Sequence, residues 1–249
     1  MRETFQPIAV KAPDDNKLLF GLRCALDLQL LTIYRFLAGQ LKHTSGSLLD
    51  VGAGEAPWRS MLAQGTSYIG VDIHDACKFG MKHRDYILFY DGKTLPFESE
   101  SFDNVLCTEV LEHVPDPKNF MAEIHRVLKP GAKLILTVPW SARLHHLPHD
   151  YHRFTRFGLS ALLEAAGFNV EILEERGNDI MALTNKLIVV LLNLLRPAGG
   201  KINLLWRLPL GVFMSFVAMA FVVASHLSLV FKFGGLEDPL GYAVLARKK

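Results

Sequence analysis

Short apolar runs alternate with helical patterns through the middle of the chain, and this alternation predicts a parallel sheet wrapped by crossover helices. Between Ser47 and Arg176 the runs SLLDV, SYIGVD, YILFY, FDNVLCT, AKLILTVP and NVEILEE read as strands. A helix is expected from about Pro117 to Leu128, stopped by Pro130 and Gly131. TRFGLSALLEAAGF predicts another, with Thr155 near its start and Gly167 just past its end. Ahead of the sheet, Leu18, Leu22, Leu26, Leu30, Ile33 and Leu37 recur at helical spacing between Lys17 and Lys42. They follow Asp14, Asp15 and Asn16 as caps, so one long helix is predicted to pack on or beside the main domain. From Ile180 to Gly235 the chain is overwhelmingly apolar, interrupted near RPAGGK, and then LGYAVLARK reads as one more strand. That closing strand makes the apolar stretch an insertion with sheet on both sides of it.

Composition changes this picture in two places. With 249 residues, half of them hydrophobic and 21% charged, the chain is greasier than one α/β domain requires, and the excess lies in the insertion. The net charge of +2 and the lack of a basic stripe interleaved with aromatics give no reason to expect a nucleic-acid partner. Charge is nonetheless uneven: the part from Ile180 onward carries +6 and the remainder −4. Cys24, Cys77 and Cys107 show no CxxC spacing, so neither a disulfide framework nor a zinc site is expected, and a reducing compartment fits. The first residues lack a basic region followed by an apolar run, so no secretory signal is expected.

Candidate chemistry starts at LDVGAGEAP, which follows the first strand and precedes a helix expected over Pro57 to Leu62. Gly52 and Gly54 let the backbone turn sharply and approach a ligand at the strand ends, although an ordinary strand-to-helix turn needs the same residues. The dinucleotide fingerprint requires glycine where this chain has Pro57, which disfavours a nicotinamide oxidoreductase. About 20 residues on, SYIGVD ends on Asp72, where a carboxylate can accept hydrogen bonds from both ribose hydroxyls or simply cap a turn.

The run YDGKTLPFESESFDNVLCTEVLEHVPDP, followed by VLKPGAKLILTVPW, resembles the central motifs of the S-adenosylmethionine-dependent methyltransferases of the Rossmann-like class, especially the subgroup with quinone-ring methylases. The resemblance covers about Ser47 to Gly167 and rests on five motifs in order. It implies a doubly wound, mostly parallel seven-stranded α/β sheet with an antiparallel last strand, and S-adenosylmethionine as cofactor. It further implies that Asp50, Gly52 and Gly54 form the loop beside the methionine part, that Asp72 holds the ribose, that Asp91 meets the adenine amino group, and that Thr108 and Glu109 line the pocket. The chain departs from the family pattern at Ala56, where a third glycine is common, and in the apolar insertion. The expected division is an N-terminal helical extension (1–45), the cofactor-binding domain (46–179), the apolar helical insertion (180–235) and the final strand (236–249).

Between the fifth strand and the next helix lies WSARLHHLPHDYHRFT, a long connection dense in His, Asp and Arg. It reads either as a solvated polar loop or as a lid over the acceptor. As a lid, His149 would be the base, Asp150 or His152 would assist, and Tyr151, Arg153 and the nearby His113 would bind an anionic or hydroxylated acceptor. The spacing of its histidines matches no zinc motif, so no metal is expected.

Leu208 to Phe231 is a run of 24 residues without Asp, Glu, Lys or Arg, flanked by Arg207 and Lys232 and long enough to span a bilayer. A single crossing is excluded if the last strand returns to the same sheet. The expectation is a hairpin that docks on the inner face of the membrane from the cytoplasm, with basic residues toward anionic headgroups. Its alternative is a buried helical pair or a protein interface. The expected function is methyl transfer to a small or lipid-linked acceptor, with a lipid-linked sugar favoured over a quinone-type ring; the alternative class is a catalytically silent cofactor-binding scaffold.

Overall fold

The computed structural model describes residues 8–74, 84–195 and 201–249. Its strands are β1 (Ser47–Val51), β2 (Ser67–Ile73), β3 (Ile87–Tyr90), β4 (Phe102–Thr108), β5 (Leu128–Pro139), β6 (Phe168–Arg176) and β7 (Gly241–Lys248). They form one sheet in the order β3-β2-β1-β4-β5-β7-β6. The first five pair in parallel, while β7 runs antiparallel to both β5 and β6, as the resemblance implies. β5 starts at Leu128 instead of Ala132, because the KPG segment continues the pairing with β4 through an irregular register.

Two-residue periodicity sends alternate side chains to opposite faces. Leu49, Val51, Val105 and Leu134 pack with Phe120, Met121 and Ile124 of α3 (Pro117–Val127) and Leu159 and Leu163 of α4 (Arg156–Ala165). Thr155 caps α4 by accepting from Gly158 N at 3.1 Å, and Gly167 follows it at φ +91°. On the other face Leu48, Leu106, Ile135 and Leu245 pack against Ile33, Phe36, Leu37 and Leu41, so the N-terminal helical region is a layer of the sheet sandwich and not an appendage.

Two expectations are corrected. The predicted N-terminal helix is two, α1 (Lys17–Leu26) and α2 (Leu28–Leu41), because Asp27 ends one through its backbone N–H to Arg23 O and caps the other by accepting from Leu30 N at 3.1 Å. The helix predicted over Pro57–Leu62 is a single 3-10 turn, Arg59–Met61. Leu62 takes an extended backbone, ψ 149°, which ends the turn, and that flank keeps a cleft of about 980 Å³ between the N-terminal segment and Tyr68 and Tyr86.

The insertion is a helical hairpin, α5 (Asp179–Leu195) and α6 (Lys201–Phe231). Much of the RPAGGK interruption, and Cys77, lie outside the described residues. The hairpin's two ends are tied together: Asp179 N donates to Gly235 O at 3.0 Å, and Asn178 Nδ2 donates to Phe233 O at 3.0 Å and Ser228 Oγ at 2.9 Å. Higher up, Thr184 and Ser225 hydroxyls meet at 2.8 Å, fully buried. Met181 and Ala182 of α5 seat the hairpin on Leu28 and Leu240. Both ends therefore leave the sheet at one place, beside the end of β6 and the start of β7.

Candidate active site

The carboxyl ends of β1 to β4 converge, since β1 lies between β2 and β4 and the chain changes direction of winding there; open α/β sheets hold ligands in such a crevice. After β1 the backbone turns at Gly52 (φ +75°) and Gly54 (φ +56°), with Gly52 N and Ala53 N both donating to Val71 O. A Cβ on Gly52 would lie 2.3 Å from Val110 Cγ2, so the loop after β4 sits directly against this turn. Asp72, at the end of β2 and 8% exposed, accepts from Gly54 N and from Ile73 N, each at 2.8 Å, which orients its carboxylate toward the glycine loop. Asp91 follows β3 directly; it is exposed, and hydrogen bonds from Lys93 N and Thr94 N hold its carboxyl below the usual range. Thr108 closes β4, and Glu109 stands next to it at φ +53°. The residues expected to hold the cofactor thus share one rim.

Beneath the loop, Asp50 is buried. It accepts from Tyr68 Oη at 2.8 Å through Oδ2, while Oδ1 has no hydrogen-bond partner among the described residues. Burial pushes its carboxyl up to about 7, partly opposed by the Tyr68 bond. Arg176, at the end of β6, was not singled out by any motif. Buried at 3% exposure, it reaches Glu109 Oε1 at 2.9 Å and also donates to Val138 O, Tyr242 O and Thr32 Oγ1. The root of the hairpin is thereby bonded to the rim.

The polar connection after β5 folds back onto the 3-10 turn Leu111–His113, with Tyr151 N and His152 N both donating to Glu112 O. His149 is half-buried, its Nδ1 3.1 Å from Tyr151 Oη. Asp150 and Arg153 close on each other: Nη1 and Nη2 of Arg153 donate to the two carboxylate oxygens at 2.6 and 2.9 Å, and further to His152 O and Arg143 O. An anionic acceptor therefore does not find Arg153 open, because those guanidinium donors already serve the lid. The His152 ring lies tilted against Phe154, centroids 5.4 Å apart, with Nε2 buried and without a hydrogen-bond partner among the described residues. His113 and His145, with ring centroids 4.6 Å apart, both face the fully buried Glu112. Burial pushes the Glu112 carboxyl up and lowers His113 to about 4, keeping that imidazole neutral.

Residues 25–173 match a family described as the methyltransferase domain. The chain belongs to that family. Among similar proteins, the ubiquinone biosynthesis O-methyltransferase of Hahella chejuensis is 37% identical over 99 residues, 36% of this chain and 42% of its own length. That of Pseudomonas paraeruginosa is 33% identical over 164 residues, 55% of this chain and 68% of its own. The chain spans about half the length of the first curated relatives it matches. A putative sarcosine dimethylglycine methyltransferase structure from Galdieria sulphuraria, 18% identical with a TM-score of 0.53 over 97% of this chain and 92% of its own, has the same fold.

S-adenosylmethionine is the cofactor this methyltransferase family implies, and the rim fits it. The turn at Gly52 and Gly54 has no side chain to block a nucleoside, Asp72 is pre-oriented, and Asp50 offers a buried unpartnered oxygen below the loop.

Proposed function

We propose that this methyltransferase moves a methyl group from S-adenosylmethionine to an oxygen of a lipid-borne acceptor at the cytoplasmic face of a membrane. When bound, S-adenosylmethionine supplies an electrophilic methyl on a positive sulfur. Asp72 accepts from the ribose hydroxyls, Asp91 meets the adenine edge, Asp50, Gly52 and Gly54 flank the methionine part, and Thr108 and Glu109 line the pocket wall. The lid positions the acceptor and excludes water, and such positioning supplies much of a transfer rate. His149 takes the acceptor hydroxyl's proton as the new bond forms, with Tyr151 beside it. Asp150 and Arg153 shape the lid around that base and do not bind the acceptor.

One observation carries the membrane reading: an apolar hairpin, rooted through Arg176 and Glu109 on the same end of the sheet as the rim, exposes most of its long helix. Trp206–Phe231 has a mean hydropathy of 2.1 in its most apolar window, of which 22% is buried. At 1.5 Å per residue it is roughly 39 Å long, enough to reach across a hydrocarbon core of ~30 Å. An acceptor held in that bilayer meets the rim without leaving the lipid. The relatives named for ubiquinone biosynthesis favour a quinone-type ring over the lipid-linked sugar that the polar lid alone suggests. The test is transfer of label from methyl-labelled S-adenosylmethionine into a membrane lipid extract. Label is expected in an organic-soluble product and is expected to disappear with Asp72→Ala; a labelled water-soluble product only, or none, overturns the proposal.

A further inference from the structure

We propose that Glu112, His113 and His145 form a binding site for one divalent transition-metal ion of the zinc class, between the lid and the end of β4. Glu112 is fully buried, and neither of its carboxylate oxygens accepts a hydrogen bond from any described residue. Leaving a buried carboxylate without partners is costly, so a group must meet it. Two imidazole nitrogens face it, His113 Nε2 at 3.5 Å and His145 Nε2 at 3.7 Å from Oε1, too far for good hydrogen bonds. Ligand atoms bound tetrahedrally at ~2.1 Å from one ion stand roughly 3.4 Å apart, close to the two distances from Glu112 Oε1. One ligand atom from each of the three residues lies within 4.8 Å of the others.

The outer shell points the same way. Metal-binding histidines hand their second ring nitrogen to a carbonyl or carboxylate, which leaves the other nitrogen's lone pair for the ion. His113 Nδ1 lies 2.6 Å from His149 O. His145 Nδ1 lies 3.1 Å from Arg143 O and 3.3 Å from Asp150 Oδ2, the carboxylate that Arg153 in turn holds. Both Nε2 atoms face Glu112, and a carbonyl oxygen beside each Nδ1 can accept its proton, which is the arrangement that frees Nε2 for an ion. Two imidazoles and one carboxylate suit a first-row transition ion better than magnesium or calcium, which prefer all-oxygen shells. Three protein ligands leave an open position for water or an acceptor oxygen, and the ion would fasten the lid to the 3-10 turn after β4.

The sequence hid this site because its ligands come from two connections more than 30 residues apart in no zinc spacing. The test uses the full chain, freed of metal by a chelator and without S-adenosylmethionine, so its outcome is independent of methyl transfer. Zn²⁺ is titrated by calorimetry, and Co²⁺ by its visible absorption. One ion per chain is expected, with affinity falling at least ~10-fold in Glu112→Gln and in His145→Gln and unchanged in His149→Ala. Thermal melts of each variant check folding, and the lid variant His145→Gln reads the site even if Glu112→Gln fails to fold. Sub-stoichiometric binding, binding that follows His149, or an affinity in both ligand variants equal to that of the parent chain overturns the proposal and leaves a buried water as the partner of Glu112.

Discussion

Ala56 occupies a left-handed backbone angle, φ +54°, where the family commonly has glycine. Holding alanine there costs ~1–2 kcal/mol, whereas burying its methyl group, 5% exposed, returns ~0.8 kcal/mol. The two partly cancel, so Ala56→Gly is expected to move stability by no more than ~1.2 kcal/mol in a thermal melt. Gly52 has no such balance, because an added methyl is both strained at φ +75° and driven into Val110. Gly52→Ala should cost more than ~2 kcal/mol and weaken binding of S-adenosylhomocysteine in calorimetry; wild-type behaviour would show that the loop after β4 does not press on the turn. Asp50 predicts a pH effect. Its folded carboxyl is raised to about 7 from an unfolded value near ~3.9, so the protonated form favours folding. Its contribution is fully present below pH ~4, is lost as pH rises toward 7, and is flat above, with an upper bound of ~4 kcal/mol. Denaturant midpoints between pH 4 and 8 should fall with pH less steeply in Asp50→Asn than in the parent, and equal slopes would assign the effect elsewhere.

Among the elements, most strands and helices were legible because each carries its own period. SLLDV, FDNVLCT and LGYAVLARK match β1, β4 and β7 closely, since a strand buried on both faces carries a mostly apolar run bounded by polar residues. The break at Asp27 was masked: leucines keep the helical spacing straight through it, although Asp27 itself ends α1 and caps α2, which packs against the sheet. The reduced crossover at Arg59–Met61 was hidden too, because its residues suit a helix and the extended backbone of Leu62 that ends the turn has no local signal in the sequence. On α6 the outward residues Phe216, Val223, Leu227 and Val230 recur at helical spacing, with Phe216 73% and Val230 70% exposed. Against α5 the same helix presents small polar residues, Ser225 and Ser228, as helices packed within lipid do. Phe216→Glu with Val223→Glu should leave helical content unchanged by circular dichroism while abolishing sedimentation with vesicles containing phosphatidylglycerol. Undiminished vesicle binding would remove the hairpin from the docking surface.

Across the whole molecule, the sequence by itself determined the α/β class, the strand count, the position of Gly52, Gly54, Asp72, Asp91 and Thr108 at or just past strand ends, and the fact that the apolar stretch is an insertion. These follow from local periodicity and from contiguous motifs, which act over a few residues and are written in order along the chain. Tertiary structure alone decided how the polar groups were spent. It closed Arg153 on Asp150, linked Arg176 to Glu109 across 67 positions, and enclosed Glu112 with His113 and His145. A side chain's partner depends on which connections the sheet brings together and on which groups burial strips of water, and neither quantity exists until distant segments have packed.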